Sequence, residues 1–185
     1  MSLEREKLIQ LIVYLAQKVP DLSITKLLKL LYIIDETAIL KYGIQVTWQD
    51  YNAWQYGPVI SELYKELKNS KESELFNYIQ TQTTSSGELI TTQQSADLDL
   101  FSANELEIIE QVIEKYKNWS ANKLVELLHQ EGTLWSKIID NQNVIFTEAG
   151  TSNYRINFSE LIKDKPMQKM FYAAARESIE FNETF

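Results

Sequence analysis

The chain has no cysteine, one histidine, five glycines and three prolines among its 185 residues. The absence of cysteine excludes disulfides, thiol nucleophiles and zinc or iron–sulfur sites with cysteine ligands. A single histidine also excludes a metal site built from several histidines. Because glycine and proline mark turns, their scarcity disfavours a turn-rich sandwich or barrel and favours long helices.

Long apolar runs are missing as well, since none approaches the roughly 20 residues that a membrane-spanning helix needs. The apolar stretch 8–16 contains Gln10 and lacks a small-residue cleavage site, so it predicts a helix and not a signal peptide. We therefore expect a cytoplasmic protein with no membrane partner. The length, together with the lack of a Gly-, Pro- or Ser-rich linker, predicts one domain over residues 1–185.

The net charge of −8 is unevenly distributed along the chain. Residues 72–114 hold nine acidic side chains and no lysine or arginine, whereas the flanking parts are close to neutral. An acidic chain is poorly suited to the phosphate backbone, so general nucleic-acid binding is not expected. Two interpretations of the acidic segment stay open: it steers a basic partner through its field, or it is a solvated helix face with a loop.

Helical periodicity predicts a mainly α fold around one buried central helix, at about residues 23–42. Ser23 is a suitable N-cap, and Gly43 a suitable C-cap. This segment is apolar on nearly all sides, with a narrow polar wedge that includes Lys26 and Lys29. A helix with so little polar surface is normally the buried centre of its domain.

Local signals place the remaining elements around this helix. We expect a first helix at 2–18, a third at 59–68 with Pro58 in its first turn, and two that start at Ser102 and Ser120. We also expect a small antiparallel β-hairpin near 76–94, a short strand at 144–147 in an otherwise irregular stretch, and a C-terminal helix at about 166–182.

Asp35 lies on the apolar side of the central helix, opposite the polar wedge. A carboxylate in that position must be hydrogen-bonded or must line a cleft, because burying it alone costs several kcal/mol. Two interpretations follow: it accepts bonds from the backbone N–H groups of a neighbouring turn, or it forms the floor of a binding groove.

The chain carries few candidates for catalysis. It has no G-x-S-x-G elbow, no P-loop and no G-x-G-x-x-G, so no nucleotide cofactor and no metal is expected. His129 has a structural interpretation, near a helix end, beside a role in partner contact or chemistry. A hydrolase would need Asp35 and His129 within hydrogen-bond reach in a pocket.

Aromatic residues are dense between Trp48 and Val59, where Tyr51, Trp54 and Tyr56 also lie. Such a cluster forms core packing or anchors a protein interface. Stacking on single-stranded nucleic acid would need interleaved lysine or arginine, and residues 42–64 contain none.

The order of these features resembles a known family. Its elements are the Lys-Leu-Leu-Lys-Leu-Leu-Tyr-x-x-Asp helix of 26–35, the Trp-Gln-Tyr-Gly-Pro-Val run of 54–59, and Leu-Leu-His-Gln-Glu at 127–131 followed by Trp135. Over roughly residues 5–140 the chain is similar to the SocA-like antitoxin or Panacea domain, which includes GepA-like phage-associated proteins. The positions that match the pattern are Asp35, Trp54, Tyr56, Gly57, Pro58, His129, Glu131 and Trp135.

The resemblance implies a helical, non-enzymatic bacterial or prophage protein that neutralises a toxin by direct contact. A basic toxin would suit the acidic segment. Two alternatives are kept: a proteolytic adaptor that delivers its toxin to an AAA+ protease, or another phage-associated regulator of the same fold. The hydrolase that would use Asp35 and His129 is a third. The oligomeric state is left open.

Overall fold

The helices begin and end at signals that the sequence carries. A computed structural model describes residues 2–85 and 87–183. In it Ser2, Ser23, Ser102 and Ser120 each accept a hydrogen bond from a backbone N–H three residues ahead. These bonds satisfy donors that a helix start leaves unpaired. Gly43, at φ 75°, ends the central helix as predicted, because glycine adopts this left-handed conformation without strain.

The described residues form seven α-helices, two short 3₁₀ helices and two antiparallel hairpins. The helices are α1 (Leu3–Lys18), α2 (Ile24–Tyr42), α3 (Ser61–Asn69), α4 (Ala103–Tyr116), α5 (Ala121–Leu128), α6 (Leu134–Asn141) and α7 (Pro166–Glu183). The strands are β1 (Asn52–Trp54), β2 (Gly57–Val59), β3 (Gln80–Thr84) and β4 (Gly87–Thr91). The 3₁₀ helices are Glu74–Asn77 and Phe158–Ile162.

The predicted architecture, a mainly helical domain around α2, is confirmed. α2 contacts α3, α4, α5, α7, β2 and β4, and it is buried along most of its length. Its leucines and isoleucines form the centre of one continuous apolar core. Each fully buried side chain of this size contributes roughly 1.5–3 kcal/mol, so α2 organises the rest of the fold. In the described part of the chain, no helix is both long and apolar enough to cross a bilayer.

The third helix starts later than predicted, at Ser61, because residues 52–59 form a hairpin instead. Pro58 therefore lies in β2 and not in a first helical turn. The strands pair Asn52 with Val59 and Trp54 with Gly57, which leaves a two-residue turn. Gly57 has φ 99°, a conformation that favours glycine.

The predicted strand at 144–147 is also wrong. This stretch has no strand in the structure, and the chain turns there through bonds from the Thr147 N–H to the Thr151 carbonyl and from the Gly150 N–H to the Thr147 carbonyl. Ile145 is 86% exposed, so β-branched residues here were not a sign of a buried strand.

The acidic segment 72–114 is part of the core and not an appendage on a neutral body. It contributes Leu75, Ile79, Ile90 and Ile108, which are all at most 2% exposed. The predicted hairpin near 76–94 is confirmed as β3 and β4, and the Ile90 N–H donates to the Leu22 carbonyl at 2.8 Å.

More than half of the segment's carboxylates bond to another side chain. Five of its nine carboxylates bond to side chains: Glu88 to Lys68, Glu105 to Lys7, Glu107 to Lys41, Glu114 to Lys117, and Glu110 to the Tyr14 hydroxyl. Three of these pairs, those of Glu105, Glu107 and Glu110, fasten α4 to α1 and α2. The uneven charge along the sequence is therefore much more even in three dimensions.

Candidate functional site

Two buried polar clusters are built on α2, one around Asp35 and the other around Lys29. Both join α2 to the segment between α2 and α3, which the sequence singled out for its aromatic residues. Both side chains are at most 1% exposed. The two clusters contain most of the positions that the family resemblance selected, and together they form the candidate site.

Asp35 accepts hydrogen bonds from the backbone N–H groups of Val46 and Thr47, at 2.8 and 2.9 Å, and from the Tyr51 hydroxyl at 2.8 Å. The Thr47 hydroxyl donates a further bond, and the Gln45 amide lies 3.5 Å away. The first interpretation, a carboxylate bonded by a neighbouring turn, is confirmed. The second is wrong, because Asp35 is fully buried, at 0% exposure.

Burial raises the pKa of Asp35, and the bonds from Thr47, Tyr51 and Val46 oppose that rise. Aromatic rings enclose the same cluster: Tyr51 meets Tyr32 edge-on at 5.3 Å, and Phe158 stacks on Tyr32 at 5.5 Å. This cluster is a complete set of buried hydrogen bonds. Its arrangement fixes the backbone of 45–51 and leaves no group free for chemistry.

The second cluster lies beneath the β1–β2 hairpin. Lys29, expected on the polar side of α2, is 1% exposed and donates to the Pro58 carbonyl at 2.9 Å. A side chain at Gly57 would come within 3.1 Å of the Lys29 ammonium nitrogen and 3.8 Å of His129 Nε2. The φ of 99° favours glycine here, and an added side chain would also crowd the Lys29 ammonium.

His129 and Trp135 complete this cluster from the other side. His129 is the C-cap residue of α5, as its structural interpretation expected. Its ring stacks on Trp135 with the centroids 3.9 Å apart and the planes at 8°. Trp135 Nε1 donates to the Trp54 carbonyl at 2.9 Å, so this stacked pair is tied to the end of β1. We call Lys29, Trp54, Gly57, Pro58, His129 and Trp135 the hairpin cluster.

The hairpin cluster is not fully hydrogen-bonded. His129 Nε2 is buried, and no group of the described residues bonds to it. Burial, and secondarily the Lys29 charge, lower the pKa of His129. Burial also lowers the pKa of Lys29 to about 7, and within the described ranges no carboxylate pairs with it. The imidazole is therefore neutral at physiological pH, and the lysine loses its proton far more readily than a lysine in solvent.

A third chain segment braces the outer side of β1. The Ala53 N–H donates to the Tyr154 carbonyl at 2.9 Å, and the Gln55 N–H donates to the Gly150 carbonyl at 2.8 Å. The Ser152 hydroxyl donates to the Ala53 carbonyl at 2.6 Å. Thus β1 is held on both sides, and the hairpin is a rigid element.

The other motif residues are on the surface. Tyr56, in the turn of the hairpin, is 65% exposed, and Glu131 is exposed two residues after His129. Trp54 is half-buried and meets Tyr64 edge-on at 5.0 Å. The aromatic run is therefore divided between core and surface, since Tyr51 is in the core and Tyr56 faces solvent.

The arrangement gives no support to a hydrolase. The Asp35 oxygens accept hydrogen bonds from the turn at 45–51. His129 stacks on Trp135 and shares no hydrogen bond with Asp35 in the described structure. Within residues 2–85 and 87–183, no group of three or more histidine and carboxylate side chains is placed to hold a metal.

Sequence reasoning missed two parts of the site, Lys29 and the brace at 150–156. One signal for the hairpin was present, since Trp54 and Gly57 enclose two residues, the length of a tight turn. The burial of Lys29 had a weaker signal: when other elements cover a helix on all sides, its lysines are buried as well.

The fold and site together define a mainly helical domain in which one buried helix supports a braced hairpin that carries the motif. The model of the SocA-like antitoxin family, the Panacea domain, matches residues 27–136, more than half of the chain, so this protein belongs to that family. Comparisons with curated proteins and with solved structures give no match. The matched range begins in α2 and ends just after Trp135, so it contains Asp35 with its hydrogen-bond donors and the whole hairpin cluster, and it leaves Phe158 and the brace outside.

Proposed function

We propose that this protein is an antitoxin that neutralises a toxin by direct binding, and that the β1–β2 hairpin is its contact surface. The observation that carries the proposal is the exposed Tyr56 on a hairpin that five buried or half-buried motif residues hold in place. Family membership supplies the class of partner. Tyrosine is enriched at the energetic centres of protein interfaces because it buries a large area at little entropic cost.

The motif positions then divide into two roles. Trp54, Gly57, Pro58, His129 and Trp135 hold the hairpin, and Tyr56 with Glu131 meets the partner. A rigid hairpin loses little conformational freedom on binding, which leaves more of the contact energy as affinity. Asp35 acts only through the fold.

The test is a pair of variants with opposite expectations. The probe is the product of the reading frame adjacent to this gene, co-expressed with the protein and scored by growth and co-purification. Tyr56→Ala should leave the melting temperature unchanged and weaken binding at least tenfold, a typical hot-spot effect. Ile145→Ala is the matched control, because Ile145 is also strongly exposed but lies outside the family range. Equal binding by both variants would contradict the proposed surface.

Charge steering of a basic toxin is a finer part of the same proposal. Only four carboxylates of the acidic segment, Glu72, Glu74, Asp97 and Asp99, lack a side-chain partner in the described structure. The remaining field is therefore weaker than the sequence suggested. We expect the association rate to fall severalfold between low and physiological ionic strength. An association rate independent of salt would remove steering but not binding.

The adaptor and regulator alternatives differ in what the purified mixture does. An antitoxin that acts by contact inhibits its toxin with no other component. An adaptor for an AAA+ protease leaves the toxin active until the protease and ATP are added, and then lowers the amount of toxin. A phage-associated regulator of another process would do neither.

A further inference from the structure

The outer edge of β3 is an open hydrogen-bonding surface. In the β3–β4 hairpin, Thr81 pairs with Ile90. The Ile90 N–H points away from β3, since it donates to the Leu22 carbonyl. The backbone groups of Thr81, opposite Ile90, therefore also point away from β4, and those of Thr83 do the same two residues on. Within the described residues, no other backbone group bonds to them.

This edge carries none of the features that usually protect one. Natural edge strands discourage pairing with lysine, proline, bulges or inward charges. β3 reads Gln-Thr-Gln-Thr-Thr, with no charge and no proline, and it pairs with β4 without a bulge. Its β-branched threonines favour an extended strand. An unprotected strand of this kind is suited to being covered by another strand.

We propose that β3 is a self-association edge, and that it pairs with β3 of a second copy about a two-fold axis at Gln82. In this antiparallel register Thr81 of each copy faces Thr83 of the other, and both use their outward backbone groups. The two hairpins become one four-stranded sheet with four new backbone hydrogen bonds. A register centred on Thr83 would instead set Thr81 against the turn residue Ser85.

The side chains agree with this register. Thr81 and Thr83 of the two copies face each other, a favourable cross-strand pair, Thr84 faces Gln80, and Gln82 meets its own copy at the axis. No like charges face each other, because residues 80–84 are uncharged. The same patch on both copies forms the contact, as a two-fold interface requires. The contact is small, which places the dimer in the weak, concentration-dependent class. It also leaves the β1–β2 hairpin free for a toxin.

The chain's lack of cysteine makes the register directly testable. In the full chain Gln82→Cys should form an intermolecular disulfide under mild oxidation, because paired non-hydrogen-bonded residues have Cα atoms about 4.5 Å apart. Gln80→Cys is the matched control, since Gln80 is also exposed on the same face of the same strand. Its two copies would be four residues apart along the strand, about 13 Å, too far for a disulfide.

The expected result is a dimer on a non-reducing gel for Gln82→Cys, at least tenfold more abundant than for Gln80→Cys. Equal cross-linking of the two, or none, would overturn the proposal. Sedimentation over rising concentration provides a second measurement. Thr83→Pro removes the outward N–H and should abolish self-association, whereas Thr83→Val keeps the N–H and should preserve it. Self-association that survives Thr83→Pro in a folded protein would also overturn the proposal.

Discussion

The Asp35 cluster and the hairpin cluster start from the same helix and hold adjacent parts of the same segment, but they differ in completeness. Asp35 has two backbone donors and two hydroxyl donors for its oxygens. Lys29 has one acceptor, the Pro58 carbonyl, and His129 Nε2 has no partner in the described structure. Since nearly all buried polar groups in native proteins are bonded, the difference calls for an explanation.

The difference in hydrogen bonding distinguishes a cluster that serves folding from one under the surface for which we propose a function. A complete cluster contributes stability and specifies one backbone arrangement, so folding alone accounts for Asp35. An incomplete one costs free energy, and such sites are commonly found where a protein does something besides folding. The hairpin that carries Tyr56 rests on the incomplete cluster. The complete Asp35 cluster therefore stabilises the 45–51 turn, and the incomplete cluster lies under the hairpin for which we propose a binding role.

Removing Asp35 should produce the largest change in stability. Asp35→Ala leaves the N–H groups of Val46 and Thr47 and the Tyr51 hydroxyl without an acceptor, and we expect a loss of roughly 3–5 kcal/mol in the free energy of unfolding. Urea denaturation followed by circular dichroism measures it. Asp35→Asn keeps one carbonyl oxygen as acceptor and should lose less, whereas Asp99→Ala, on the surface, should lose almost nothing. A stable Asp35→Ala that no longer binds the toxin would contradict the purely structural role of the Asp35 cluster.

The Asp35 cluster was also the part that sequence could predict. The helical wheel places the Asp35 carboxylate on an apolar face, and an unpaired carboxylate is costly to bury. These two facts are enough to predict that Asp35 is hydrogen-bonded. The caps at Ser23 and Gly43 were local signals of the same kind. Each depends on residues a few positions apart, and so each could be read from the chain directly.

The hairpin cluster could not be predicted in this way, because its contacts join distant segments. Lys29 meets Pro58, Trp135 meets Trp54, and residues 150–156 brace β1 from almost 100 positions away. On a wheel, Lys29 belongs to the polar wedge, and only the packing of β2 and α5 over that wedge buries it. The resemblance selected five of the cluster's six residues but gave no reason for their grouping.

The next effect in size is a dependence of the free energy of unfolding on pH, which the buried Lys29 causes. Burial lowers its pKa from 10.5 to about 7, so between these values the unfolded chain binds the proton that the folded chain has lost. Stability therefore rises with pH across this range, and the full cost of burying the charge is present below pH 7. The difference corresponds to roughly 4–5 kcal/mol, of which about 3 kcal/mol falls between pH 7 and 9.5.

Lys29→Met should remove this slope, because methionine fills similar space without a proton to lose. Denaturation curves at pH 7 and pH 9.5 for the wild type and the variant measure it, and Lys137→Met, at an exposed lysine, serves as control. Parallel pH curves for the wild type and Lys29→Met would mean that Lys29 has an anionic partner and that its cluster is as complete as that of Asp35.

Replacing His129 should change the stability least, and it tests whether the hairpin cluster is incomplete. His129→Phe keeps a ring on Trp135 and removes the buried Nε2, so we expect unchanged or slightly higher stability, within about 1 kcal/mol. Because burial lowers the pKa of His129, the wild type loses stability as pH falls below about 6.5, where the unfolded imidazole takes up a proton first. The variant should lose less over that range. His129→Ala also abolishes the stacking and should be the less stable of the two. If His129→Phe instead costs more than 2 kcal/mol at pH 7.5, Nε2 has a structural partner and the hairpin lies on a complete cluster. If the variant is stable but binds the toxin as weakly as Tyr56→Ala does, the imidazole itself contributes to the contact.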